Sequence, residues 1–396
     1  MLLALSGEAA KGYAMDYDLV VTGGRVIDPS QEIDRVTDVG FAQGKVAAVG
    51  DGLAAHGAKV IEAAGRIVTP GLIDLHTHVY WGGTSLGVDA VKLARSAGVS
   101  TLVDTGSAGP GNFPGFRSHV IDASPVRIIA YLNISFAGIF GFSRRIMVGE
   151  SGDQRLMAPH DTLEILDANR DVIAGVKVRV GRTASGTAGV VPLDIARQVA
   201  EEAGVPMMVH IDQPPPTLEE VLARLRPGDI LTHCFRPFPN APIKRDGQVL
   251  EAVLEARSRG VLFDIGHGMG SFDFEVARGM LAAGFLPDTI SSDVHALCID
   301  GPAFDLPTTM SKFLCLGVSL PEVIRRATVN AAAALQRPDL GSFRPGSAGD
   351  ASILDVAHGR FSYKDVLGAE LIGEQRLLAR GLVLGGELWH SADQAA

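Results

Sequence analysis

The stretch Pro70-Gly-Leu-Ile-Asp-Leu-His-Thr-His78 decides how the rest of this 396-residue chain is read. A Pro-Gly breaker opens it, an apolar run follows, and two histidines one residue apart close it. Alternate side chains of a strand share a face, so His76 and His78 point together while Thr77 points away. A buried strand that ends this way offers a two-point grip for a metal ion.

Outward from this strand (71–78), further apolar runs lie at 99–105, 126–134, 172–180, 205–211, 229–235, 261–268 and 289–295. Between them are helical stretches at 88–98, 193–204, 218–228, 249–260 and 274–284, each ending in a glycine that suits a left-handed C-terminal turn. Eight strands alternating with helices predict an α/β fold, a (β/α)8 TIM barrel over residues 71–340. A last helix is expected over 320–336. Short β-branched runs with Gly, Asp and Pro punctuation fill 17–70 and 341–396, and the simplest geometry pairs them in one small discontinuous β-sandwich domain. Residues 1–16 read as a flexible N-terminal extension, with Met15 an alternative start.

Composition narrows the function. Apolar residues make up 46% and charged residues 20%, with mean hydropathy +0.21, which describes a globular chain with a substantial core. The formal charge of −10, from 35 basic and 45 acidic residues, argues against a grip on nucleic-acid phosphates. Cys234, Cys298 and Cys315 are too few and too scattered for a disulfide framework or a cysteine zinc cluster, so a cytoplasmic location is expected. No apolar run reaches the roughly 18 residues of a membrane helix, and no membrane partner is expected. The expected partner is a small-molecule substrate, and the chain is expected to assemble as a homo-oligomer.

In a barrel of this kind the active site sits at the C-terminal strand ends. Lys177 lies there within Val-Ile-Ala-Gly-Val-Lys-Val-Arg-Val (172–180). An ammonium is costly to bury, so this lysine has either a carboxylate partner or a chemically neutralised head. His210, His233 and Asp293 close the fifth, sixth and eighth strands.

With these residues in place, the sequence resembles the amidohydrolase superfamily of metal-dependent hydrolases. The resemblance runs from about Tyr17 through nearly the whole chain. It implies that His76 and His78 hold one divalent metal, that His210 and His233 hold the other, and that Lys177 bridges them as an N-carboxylated lysine. Asp293 is implied as a ligand of the first metal and the catalytic proton carrier. Zinc is the expected metal for both sites. Metal binding lowers the pKa of water from about 15.7 to about 7, roughly 12 kcal/mol at about 1.36 kcal/mol per unit, so the implied nucleophile is a bridging hydroxide. The motifs His-Cys-Phe (233–235), Asp-Ile-Gly-His-Gly-Met-Gly-Ser-Phe (264–272), Ser-Ser-Asp-Val-His (291–295) and Asp-Leu-Pro-Thr-Thr-Met-Ser-Lys (305–312) look like the deacetylase, or dihydroorotase-like, branch. That branch implies deacylation of an N-acyl amino acid or a related acetyl ester. The alternative is a cyclic amide hydrolase, of dihydroorotase or hydantoinase type.

Substrate-binding candidates surround this set. Arg179 shares the face of Lys177 and could clamp a carboxylate, polarise a carbonyl or pair with a structural acid. His267 sits among glycines after the seventh strand, and His295 is two residues beyond Asp293, where it could instead orient that aspartate. Tyr131 and Asn133 alternate inward near the end of the third strand, with ordinary barrel packing as the competing reading. Residues 81–84 could form a covering loop. Asp74 is assigned to the lower barrel core, and His56, His119, His160, His358 and His390 receive no role.

Overall fold

The computed structural model describes residues 16–53 and 59–391; the expected extension before Asp16, Met15 and His56 lie outside them. The strands are β1 (Leu19–Asp28), β2 (Ile33–Ala42), β3 (Lys45–Gly50), β4 (Lys59–Glu62), β5 (Ile67–Pro70), β6 (Leu72–Thr77), β7 (Val99–Thr105), β8 (Arg127–Asn133), β9 (Ile173–Val180), β10 (Met207–Ile211), β11 (Ile230–Leu231), β12 (Leu262–Phe263), β13 (Ala351–Lys364), β14 (Glu370–Leu384) and β15 (Glu387–Ser391). They form two sheets. One is a seven-stranded parallel sheet in the order β12-β11-β10-β9-β8-β7-β6. Its strands β6, β7 and β9 are buried along almost their whole length because both faces are covered.

The second sheet joins the two ends of the chain in the order β15-β14-β13-β5-β1-β2-β3, with β4 also pairing with β1. The junction is the antiparallel register of β5 with β13, from Pro70 opposite Ala351 to Ile67 opposite Leu354. An apolar core of its own, drawn from both ends, includes Val21, Val39, Phe41, Val68, Phe343, Ile353 and Val383.

Three expectations need correction. The sixth and seventh strands shrink to two residues each, and 289–295 forms no named strand. Instead, isolated parallel bridges tie Thr289 to Asp264 and Val294 to Thr77, so this segment runs between β12 and β6. The ladder fails there because the backbone turns to present side chains: His233 and Asp293 have φ of 66° and 48°, the left-handed region that non-glycine residues seldom occupy. The expected helix over 320–336 is two helices, Leu320–Arg326 and Val329–Ala334. Its break has a visible cause, since the Ala327 carbonyl leaves the helix to accept from the Ile73 amide of β6 at 2.8 Å. The helix expected over 218–228 ends at Leu222, before the Arg226-Pro227 step that disfavours helical backbone.

Among the described residues, no helix is long and apolar enough to cross a membrane.

Candidate metal centre

The ends of β6, β9 and β10, with the segments after β11 and β12, deliver one cluster of polar side chains. His76 Nε2 and His78 Nε2 each lie 3.2 Å from Asp293 Oδ1. The ligand atoms of these three residues all fall within 4.8 Å of one another. Two donors on one tetrahedral ion at 2.0–2.2 Å sit about 3.4 Å apart, so the spacing fits a shared cation. His210 Nδ1 and His233 Nε2 face each other at 2.7 Å.

The outer nitrogens of His76, His78 and His233 each meet a neighbouring group. His76 Nδ1 meets Thr232 Oγ1 at 2.8 Å, and that hydroxyl donates to Asp264 Oδ2 at 2.8 Å, so the ring nitrogen is the donor. His233 Nδ1 donates to the Gly266 carbonyl at 2.7 Å, and His78 Nδ1 lies 2.8 Å from Ser107 Oγ. Such outer contacts orient metal-binding imidazoles and fix their tautomer. Gly266 is a steric requirement here. A Cβ at this position, where φ is 46°, would lie 2.3 Å from Thr232 Oγ1 and 2.8 Å from His233 Nδ1.

Burial sets the charge states. It holds the His76, His210 and His233 imidazoles well below their ordinary range and His78 at about 3, so all four are in the neutral, ligand-ready form. Burial also lifts the Asp293 carboxyl to about 6. Lys177 is wholly buried, its Nζ 3.5 Å from His76 Nε2, and desolvation pulls its ammonium down to about 7 against the attraction of Asp293.

A cavity opens above this cluster. Its polar wall carries Arg179, Thr183, Asp212, Arg236, Ser271 and His295, and its apolar wall Leu86, Ile139, Phe142, Met147 and Met269. Of the anticipated substrate-binding residues, Arg179 and His295 line it. Arg179 is engaged: Nη1 is 3.6 Å from Glu150 Oε2 and the guanidinium lies 5.1 Å from the Phe142 ring centroid.

His267, Tyr131 and Asn133 do not line the cavity, and each has a physical reason. His267 lies 2.6 Å from Lys312 Nζ through Nε2 and 2.9 Å from the Gly268 carbonyl through Nδ1, and its ring stacks on Phe272. Tyr131 faces inward but lower, among Ile73, Leu75 and Met208. Asn133 donates to the Gly106 carbonyl at 3.1 Å and accepts from the Ser135 amide at 2.9 Å, holding the turn beside Lys177. Asp74 is buried, and bonds the Ser292 amide and hydroxyl at 2.9 and 2.5 Å, which fixes the segment that carries Asp293. Sequence reasoning missed Asp212, Arg236 and Glu150, which lie on loops. The nearest signal was the placement of Arg236 three residues after His233.

The chain resembles known proteins over most of its length. The profile of the Amidohydrolase family matches residues 67–373. A deacetylase of Agrobacterium fabrum is 35% identical over 355 residues, covering 85% of this chain and 86% of its own. A solved structure described as a dihydroorotase is 34% identical with a TM-score of 0.86, covering 94% of this chain and 98% of that one. Another, described as an adenine deaminase, is 28% identical with a TM-score of 0.88, covering 95% and 100%. Three reactions on one scaffold mean that the chemistry must be argued from the site.

Proposed function

The chain belongs to the amidohydrolase family and is a metal-dependent hydrolase of C–N bonds; on that premise we propose that it deacylates an N-acyl amino acid or a related acetyl ester. The observation that carries the reading is the meeting of His76, His78 and Asp293 within 4.8 Å, with Lys177 beside them. In this reading His76, His78 and Asp293 would hold one divalent ion, His210 and His233 would hold a second, and Lys177, once N-carboxylated, would serve both. Zinc suits the neutral imidazoles and carboxylates. A buried lysine whose ammonium is pulled to about 7 presents the free amine that adds carbon dioxide, and the resulting carbamate replaces a misplaced cation with an anion.

When bound, the two ions supply Lewis acidity and an acidified water. The chain's own residues do the rest. The Asp293 carboxylate, lifted by burial, takes the proton and returns it to the leaving amine. Arg179, on the wall beside Lys177, polarises the carbonyl under attack. His295 sits two residues past Asp293 on the same wall and borders the substrate. His267, Tyr131 and Asn133 support the site from behind it.

The same reading extends to the architecture. The bridges at both flanks of 289–294 support a closed eight-stranded barrel over 71–340. The separate two-ended core supports a β-sandwich domain from 17–70 and 341–396. The three cysteines, all free, suit a reducing cytoplasm.

The test is metal analysis together with turnover of N-acyl-L- and N-acyl-D-amino acids, acetyl esters, hydantoins and dihydroorotate. About two equivalents of metal and cleavage of open-chain acyl substrates are expected. The likeness to the structure described as a dihydroorotase favours a second reading, cyclic amide hydrolysis. Preference for the ring substrates would establish it over the first. Protein that stays inactive after reconstitution with divalent metal and bicarbonate would overturn both.

A further inference from the structure

Two guanidinium groups enter the cavity, and their surroundings differ. Arg179 has the Glu150 carboxylate at 3.6 Å and the Phe142 ring beneath it. Arg236 is as deeply buried, 6% exposed, yet among the described residues no carboxylate comes within ion-pairing distance of it. Its Nη1 donates to the Ile211 carbonyl, and its Nε has no partner. The nearby Asp212 carboxylate is occupied by the backbone amides of Thr183 and Ala184 at 3.0–3.2 Å. A guanidinium cannot shed its proton, so a buried one without a counter-ion is an energetic debt unless an anion arrives.

We infer that Arg236 is the anchor for a substrate carboxylate, and that Phe142, Met147 and Met269 take an apolar side chain on the same molecule. Placement supports this. Arg236 follows His233 by three residues, its amide donates to the His233 carbonyl at 3.2 Å, and its head bonds the residue after His210. An anion held there lies on the His210 and His233 side of the cavity, leaving the Asp293 side for the scissile acyl group. The substrate class is therefore an acyl derivative of an acid that carries its carboxylate next to a hydrophobic substituent. Neutral acyl amides and acyl derivatives of charged side chains fit poorly. This deepens the proposed function and rests on it for the bond broken, though not for the anion bound.

The experiment compares N-acetylphenylalanine with N-acetylphenylalaninamide, in both enantiomers, on the metal-loaded wild type and on Arg236→Met and Arg236→Lys. Removing one partner of a buried charge pair costs about 2–5 kcal/mol, or about 30-fold and upward in kcat/KM. That loss is expected for the acid with Arg236→Met, with a loss at least roughly tenfold smaller for the carboxamide and partial recovery with Arg236→Lys. Equal losses on both compounds, or a wild type that does not prefer the acid, would overturn the anchor. Calorimetric binding of 3-phenylpropanoate against 3-phenylpropanamide separates the two claims. Arg236-dependent preference for the anion without turnover of any acyl amino acid sinks the proposed function and keeps the anchor. Equal binding of both probes sinks the anchor.

Discussion

Replacing Thr232 with valine removes one hydroxyl and little else, and it strikes the link between His76 and Asp264. The hydroxyl accepts from His76 Nδ1 at 2.8 Å and donates to Asp264 Oδ2 at 2.8 Å. Asp264 keeps the Thr289 hydroxyl at 2.7 Å and the Ser291 hydroxyl at 2.8 Å, so its own loss is one bond among several, about 1 kcal/mol. His76 loses the hydrogen bond on its outer nitrogen, with Asp264 Oδ2 left 3.7 Å from it. Loss of such an outer contact costs about 10- to 100-fold in metal affinity, or roughly 1.4–2.7 kcal/mol at about 1.36 kcal/mol per decade. Metal affinity should therefore fall further than stability does. Titration against a chromogenic zinc chelator measures the first, and thermal melting of the metal-free protein the second. Thr232→Ser should restore affinity to within about threefold, since it returns the hydroxyl. A valine variant with wild-type affinity, or a serine variant as weak as valine, would refute the view that this hydroxyl sets the His76 tautomer.

The remaining expectations concern three lysine and aspartate positions. Lys177→Ala should lose metal and activity together, with partial rescue by a short carboxylic acid; unchanged occupancy by two metals, measured by atomic emission, would contradict its linking role. Asp293→Asn should lower turnover far more than metal content, and a steady-state assay beside metal analysis checks the split. Lys312→Met should destabilise the fold by about 3 kcal/mol or more, read from chemical denaturation, because Nζ serves His267 Nε2 at 2.6 Å and the carbonyls of Pro302 and Lys364 at 2.8 Å, each left unpaired by the change.

What could be read from the sequence follows from periodicity, and what could not lies where periodicity ends. Strand alternation put Lys177 with Arg179 in the regular ladder of β9 with β10, and it put His76 with His78 although the β6–β7 register shifts between Asp74 and Thr77. Alternation gives the face and not the height, so Tyr131 was correctly turned inward yet lies in the lower core beside Met208. His267 read as a ligand contact because its glycine neighbours suggest open backbone. Its partner Lys312 stands 45 residues away on the helix Leu306–Cys315, a meeting that no local pattern reveals. Arg236, Asp212 and the Phe142–Met147 bridge belong to loops whose path is set by tertiary contacts alone. The turned backbones of His233 and Asp293 explain why the last strands looked longer on paper than they are.

The pairing of β5 with β13 sets a timetable for the chain's birth. Val68 meets Ile353 across 285 residues, so the strands within 19–70 cannot complete their sheet until those within 351–391 have been made. Through that wait their apolar faces need shelter, which makes the nascent amino-terminal segment a natural client for chaperones. A stop codon late in the message would damage the oldest part of the protein as surely as the newest.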